Sequence, residues 1–213
     1  VAGLAEACEA LEVPVVGGNV SLYNESPEGP ILPTPVVGMV GRLPAAATTS
    51  RAGFVRPGDR IGVVGAFHPS RSGSEIAKLH GEPPAGALPP KSVEAIRAAH
   101  RTVRGGVRGG AFATAHDVAE GGIAVALAEC CIAGGLGATV TLPEGLDPFG
   151  EDLGTTFLVA GRPEQVDAIS EVVPIGEVGG DVLTIEGVLS VPVPALREAH
   201  GRGLAQLIDQ PLD

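Results

Sequence analysis

Residues 121–133, GGIAVALAECCIA, carry one charged side chain, Glu129, and apolar side chains at nearly every other position. Helical spacing over this stretch puts apolar groups on nearly every face, and a nearly all-apolar helix has to be buried on most sides by other elements. The flanking sequence supplies them. Strands are expected at 61–66, 111–115, 136–142, 155–160, 175–178 and 182–185, the last two around a Gly179-Gly180-Asp181 turn. Helices are expected at 74–80, at 92–103 with Val93, Ile96, His100 and Val103 on one face, and at 163–172, opened by Pro163. Residues 83–90 read as a loop. Strands alternating with helices around one buried helix give an α/β class, an α+β sandwich, from about residue 50 onward.

The first 48 residues read differently. Leu4, Cys8 and Leu11 space a helix over 2–11, and Val13–Val16 is a short strand running into Gly17-Gly18. Residues 19–34 have the Asn, Ser, Gly and Pro density of a loop, and 35–43 (PVVGMVGRL) read as a second strand. Two strands and a helix cannot cover their own faces, so this segment needs a partner. It resembles the middle of an α/β domain. Residues 44–60, ending in a Pro-Gly-Asp turn, mark a boundary, which divides the chain into 1–48 and 49–213.

Composition narrows the function. With 44% hydrophobic and 18% charged residues in 213, the chain can build a packed core. A net charge of −11, 3% aromatics and no Trp argue against a sequence-independent grip on nucleic acid. They leave room for a nucleotide held by backbone N–H groups and a metal ion. No apolar run approaches the ~20 residues of a membrane span. Cys8, Cys130 and Cys131 are odd in number and form no CxxC, which suits reduced thiols in a cytoplasmic protein.

Three segments could carry chemistry. In Gly17-Gly18-Asn19-Val20-Ser21-Leu22-Tyr23-Asn24-Glu25 the glycines allow close backbone approach, and the side-chain oxygens suit Mg²⁺ and phosphate esters; a plain polar turn is the alternative. In His116-Asp117-Val118-Ala119-Glu120-Gly121-Gly122, glycines at a helix start offer N–H groups to an anion and Asp117 a metal ligand. Asp117 or Glu120 could equally serve as a simple helix cap. Phe149-Gly150-Glu151-Asp152-Leu153-Gly154-Thr155-Thr156 places two carboxylates before a strand, as acidic turns commonly do. Arg97, Arg101, Arg104 and Arg108 form a basic stripe, a solvated or interdomain face with phosphate binding as the alternative. GxxxxGK[ST] and GxGxxG do not occur in the first of these loops, and no Ser/His/Asp or Cys/His constellation can be assembled from the spacings.

Together, VPVVGGNVSLYNES, ILPTPVVGMVGRL and AHDVAEGGIAVALAE resemble the C-terminal part of the phosphoribosylformylglycinamidine synthase family, within the aminoimidazole ribonucleotide synthetase-like superfamily. GGNVSLYNE is the specific element; HDVxxGGxxxALAE is shared across the superfamily. The resemblance implies a ligase of purine biosynthesis built from two pseudo-repeated halves. It uses ATP, Mg²⁺ and glutamine-derived ammonia to convert formylglycinamide ribonucleotide into its amidine, alongside a glutaminase subunit and a small accessory subunit. It implies that 1–48 is the end of an N-terminal-type, ATP- and substrate-binding domain and 49–213 a complete C-terminal-type domain. Gly18 would touch ATP, Asn19 would bind Mg²⁺ and Ser21 the substrate. Asp117, Gly121, Gly122 and Glu151 would be pseudo-equivalents of metal- and substrate-binding residues in the other half. FGEDLGTT departs from the family's FGES followed by a polar residue and Arg, which counts against a ligand role for that loop. The family's histidine base and main Mg²⁺ carboxylates lie in the first half, so no catalytic residue is expected here and the chain alone is expected to be inactive. The alternatives are a non-catalytic assembly module, or another superfamily enzyme of the selenophosphate synthetase, hydrogenase-maturation or thiamin-phosphate kinase type, which lack GGNVSLYNE.

Overall fold

The computed structural model describes residues 1–20, 24–31, 34–47, 49–83, 92–152 and 154–208, with side chains described to residue 203. The chain forms two compact units, Val1–Pro44 and Ala45–Asp213.

In the first unit, α1 (Ala2–Leu11) ends at Glu12, a left-handed residue with φ 57°. The Glu12 and Val13 N–H groups then close the last turn on Glu9 and Cys8 carbonyls. No residue of α1 is buried. A small antiparallel hairpin follows, β1 (Glu25–Ser26) with β2 (Gly29–Pro30). Ser26 Oγ accepts from Glu28 N–H and donates to the Gly29 carbonyl, so the turn carries its own hydrogen bonds. The strands expected at 13–16 and 35–43 are not formed. Their apolar pattern is present, but a strand exists only as one side of a ladder, and no described residue of this unit pairs with either run. Val16, Val36 and Val40 are accordingly fully exposed.

The second unit contains β3 (Arg60–Val64), α2 (Glu75–Leu79), α3 (Val93–Arg108), β4 (Thr114–Asp117), α4 (Gly122–Gly134), β5 (Ala138–Val140), β6 (Phe157–Gly161), α5 (Pro163–Val166), β7 (Val172–Val178), β8 (Val182–Ile185), β9 (Leu189–Pro192) and α6 (Val193–Ile208). One seven-stranded sheet runs β4-β6-β3-β7-β5-β8-β9. Its neighbours are antiparallel except β5 and β8, which run parallel.

Side-chain alternation decides which face each residue covers. Ile61, Leu158, Ala160, Ile175, Val140, Leu183 and Ile185 form one face and bury Ile123, Leu127, Cys130 and Cys131 of α4. Val64, Val159 and Val172 point the other way, onto Ala99 of α3, Phe112 and Val166 of α5. The nearly all-apolar helix is thus the centre of the main core, as its composition requires. Its C-terminal end is packed so closely that a methyl group at Gly134 would stand 2.2 Å from the Phe54 carbonyl oxygen.

Four elements differ from expectation. α3 continues five residues past 103, through Gly105-Gly106, because the Phe112 ring packs on the bare Gly106 backbone. The helix at 163–172 is a single turn, since the β-branched Val172-Val173 pair joins the sheet opposite Val64 and Val63. β4 lies at 114–117, paired with residues 157–160 of β6. The segment after Ile185 continues the sheet as β9 and then forms α6.

Candidate functional site

The Gly-Gly-Asn loop lies in the first unit. Gly17, Gly18 and Asn19 are exposed, and a methyl group built on Gly18 would have no heavy atom within 4 Å. The backbone there is open to a flat ligand. The Asn19 amide offers a hard oxygen donor of the kind Mg²⁺ accepts. Ser21 lies outside the described residues. Just beyond, Glu25 and Glu28 sit on the exposed hairpin.

The other candidates gather at one end of the second unit, where 65–75, 117–122, 147–152 and 154–156 meet. Asp117 closes β4 with its carboxylate exposed. The neighbouring His116 is largely buried; its Nδ1 lies 2.6 Å from the Asp117 carbonyl oxygen and its Nε2 3.5 Å from Glu129 Oε2 on α4. Gly121 and Gly122 both take positive φ, 79° and 69°, and make the sharp entry into α4. A methyl group on Gly122 would stand 2.4 Å from the Gly150 carbonyl oxygen and 2.7 Å from that of Pro148. The space that glycine leaves is filled by the chain's own 148–150 backbone.

Glu151 is held from both sides. Its backbone exchanges hydrogen bonds with Ser70, and its Oε1 accepts from Gly121 N–H and from Glu75 N–H, both at 2.8 Å. Asp152, buried, accepts from His68 N–H at 2.5 Å. Asp147 pairs with Arg71 and accepts from Phe149 N–H at 3.1 Å. Partial burial alone would raise the Asp147 carboxyl. The Arg71 hydrogen bond and charge and the N–H groups of Phe149 and Gly150 outweigh that, and hold it below its ordinary value.

Among the described residues, no group of three or more His, Cys, Asp or Glu side chains could hold a metal ion. Mg²⁺ is commonly held by only one or two protein oxygens together with phosphates and water, so Asn19 fits as one such ligand. Arg101 of the basic stripe pairs with Glu94 at 2.9 Å, and Arg104 and Arg108 are exposed on the side of α3 opposite the buried Ala99 and Gly106. The interlocking of 66–75 with 147–152 had no sequence signal beyond the adjacent carboxylates.

The model of the family described as AIR synthase related protein, C-terminal domain, matches residues 56–184. Phosphoribosylformylglycinamidine synthase subunit PurL of Anaeromyxobacter sp. (strain Fw109-5) is 39% identical over 98% of this chain and 30% of its own length. The chain therefore spans about 30% of the length of the curated relatives it matches. Two solved structures share the fold at 20% identity over 71% of this chain. They are T. maritima PurL complexed with FGAR, TM-score 0.58 over 30% of that chain, and T. maritima PurL complexed with ATP, TM-score 0.54 over 28%.

Proposed function

Because the chain belongs to the AIR synthase related protein, C-terminal domain family, we propose that it is the C-terminal part of a PurL-type phosphoribosylformylglycinamidine synthase. The whole enzyme would convert formylglycinamide ribonucleotide, ATP and glutamine-derived ammonia to the amidine in purine biosynthesis. ATP phosphorylates the amide oxygen, ammonia adds to the amide carbon, and the oxygen leaves with the phosphate. The observation that carries the reading is 39% identity along 98% of the chain, through a first unit that contains GGNVSLYNE.

Residues up to about 48 are assigned as the end of the ATP- and substrate-binding domain, and 49–213 as the following C-terminal-type domain. Gly18 lets the backbone lie flat against the nucleotide, a role supported by its open surroundings. Asn19 gives its amide oxygen to Mg²⁺, which neutralises phosphate charge when bound. Ser21 gives a hydroxyl to the substrate. Asp117 stays the weaker metal candidate, being exposed but flanked by His116 rather than by further carboxylates. The partners assigned are the glutaminase and the small accessory subunit, and the setting is the cytoplasm, supported by three free cysteines. Among the described residues, no helix is long and apolar enough to cross a membrane.

The test is a chimera in which this chain replaces the matching region of the Anaeromyxobacter relative. ATP- and ammonia-dependent turnover of formylglycinamide ribonucleotide is expected. Asn19→Leu in the chimera should raise the Mg²⁺ concentration needed for half-maximal rate, and Ser21→Ala should raise KM for the ribonucleotide. A folded chimera without turnover, or variants with unchanged constants, would refute the assignment. The isolated chain should form no amidine.

A further inference from the structure

We propose that residues 147–152 are an internal latch, in which the Glu151 carboxylate is a shared cap for α2 and α4 and fills the anion seat at the start of α4. The proposal concerns the second unit alone and is independent of the ligase assignment.

Residues 147–152 and 154–156 meet 66–75 at several points. Thr155 and Thr156 hydroxyls donate to the Ala66 carbonyl at 3.2 Å, and Asp152 accepts from His68 N–H. Glu151 and Ser70 exchange backbone hydrogen bonds at 3.1 and 2.9 Å, and Asp147 pairs with Arg71. Glu151 then reaches past this ladder. One oxygen, Oε1, takes the Gly121 N–H at the start of α4 and the Glu75 N–H at the start of α2.

The first N–H groups of a helix have no partner inside it and carry its positive end, so they attract an anion. At the start of α4 three of them are paired within the chain. Gly121 N–H goes to Glu151, Gly122 N–H to the Ala119 carbonyl, and Ala124 N–H to the Pro148 carbonyl. A carboxylate accepting two N–H groups makes charge-assisted bonds about twice as strong as neutral ones. The Pro148 and Gly150 carbonyl oxygens lie over Gly122, and their negative ends disfavour a phosphate beside it. HDVAEGG therefore builds a structural joint whose anion is supplied by the chain itself, tying together segments 30 and 76 residues apart.

The experiment uses the full chain with Glu151→Ala and Glu151→Gln. Glu151→Ala should lower the Tm by roughly 4–10 °C. The amides of Gly121 and Glu75 should lose hydrogen-exchange protection together. Formate, compared with chloride at equal ionic strength, should raise the Tm of Glu151→Ala but not that of the wild type. Glu151→Gln, which keeps an acceptor oxygen without the charge, should lose less, and it carries the exchange measurement if the alanine variant does not fold. Unchanged protection at Gly121 and Glu75 in the variants would overturn the latch. So would a saturable shift of the wild-type Gly121 amide on titration with inorganic phosphate, which would show the seat open to an external anion.

Discussion

Gly105 and Gly106 are adjacent in α3, yet their replacement by alanine should change stability in opposite directions. Both lie inside a sixteen-residue helix, so each gains roughly 0.5–1 kcal/mol from the lower backbone entropy of Ala in the unfolded chain. Their surroundings differ. A methyl group on Gly105 meets nothing within 4 Å. One on Gly106 would stand 2.2, 2.3 and 2.8 Å from three carbons of the Phe112 ring. That ring is 2% exposed and buried in one cluster with Val64, Ala99 and Val159, so moving it disturbs the packing of its neighbours.

Overpacking of this kind costs about 1–3 kcal/mol. Subtracting the propensity gain leaves Gly106→Ala destabilised by roughly 0–2.5 kcal/mol, while Gly105→Ala is stabilised by about 0.5–1. At about 2–4 °C per kcal/mol for a chain of this size, calorimetry should place Gly105→Ala about 1–4 °C above the wild type. Gly106→Ala should lie up to about 10 °C below it. Since helix propensity is common to both, the gap between the two variants reads the Phe112 contact alone. Two variants with equal Tm would refute the packing argument. A Gly106→Ala that melts above Gly105→Ala would refute it more directly.

Burial pushes the Cys131 thiol up to about 12 and the Cys130 thiol higher still, the latter with help from Cys131, Glu129 and Asp117. At pH 8 a thiol at 12 is ionised on the order of 10³-fold less than an ordinary one near 8.5. A thiol-specific disulfide reagent should therefore label Cys8 promptly and the other two only after denaturation; rapid native labelling of two or three equivalents contradicts this. The Asp147 carboxyl is held below its ordinary value, so its contribution is complete above the unfolded value near 3.9 and is lost as pH falls through the folded one. Urea midpoints should fall less steeply below pH 4 in Asp147→Asn than in the wild type, and parallel acid limbs would show that the Arg71 pair adds nothing.

Much of the second unit was legible because its signals are local. The helix at 122–134 followed from the lack of any polar face, and the strands around 61, 158 and 183 from apolar runs ended by Gly or Asp. Where local signal was present but its partner was not, the reading failed. Val13–Val16 and Val36–Val40 have strand-like side chains, yet a ladder is a property of two segments, and the first unit supplies no second one among its described residues. α6 begins at Val193-Pro194, and the alternating prolines at 192 and 194 hid both the end of β9 and a helix start at which Pro is well tolerated.

The candidate site divides along the same line. Gly18, Asn19 and Ser21 were singled out because a contiguous nonapeptide is specific to a family, a signal that needs no geometry. Glu151 could be noticed as one of two adjacent acids, and its FGED context as a departure, but its role depends on two N–H groups that no sequence spacing connects to it. A trace of that role was nevertheless present. α4 opens on Gly-Gly with no Ser, Thr, Asp or Asn at its cap position, although its buried start cannot leave its first N–H groups bare. An uncapped buried helix start implies an acceptor from elsewhere in the chain, and one charged acceptor in a loop that also has to close over Gly122 meets the requirement at least cost in new elements. In the latch we propose, the same carboxylate, because it is charged, would also repel the phosphate that an empty glycine turn would have invited.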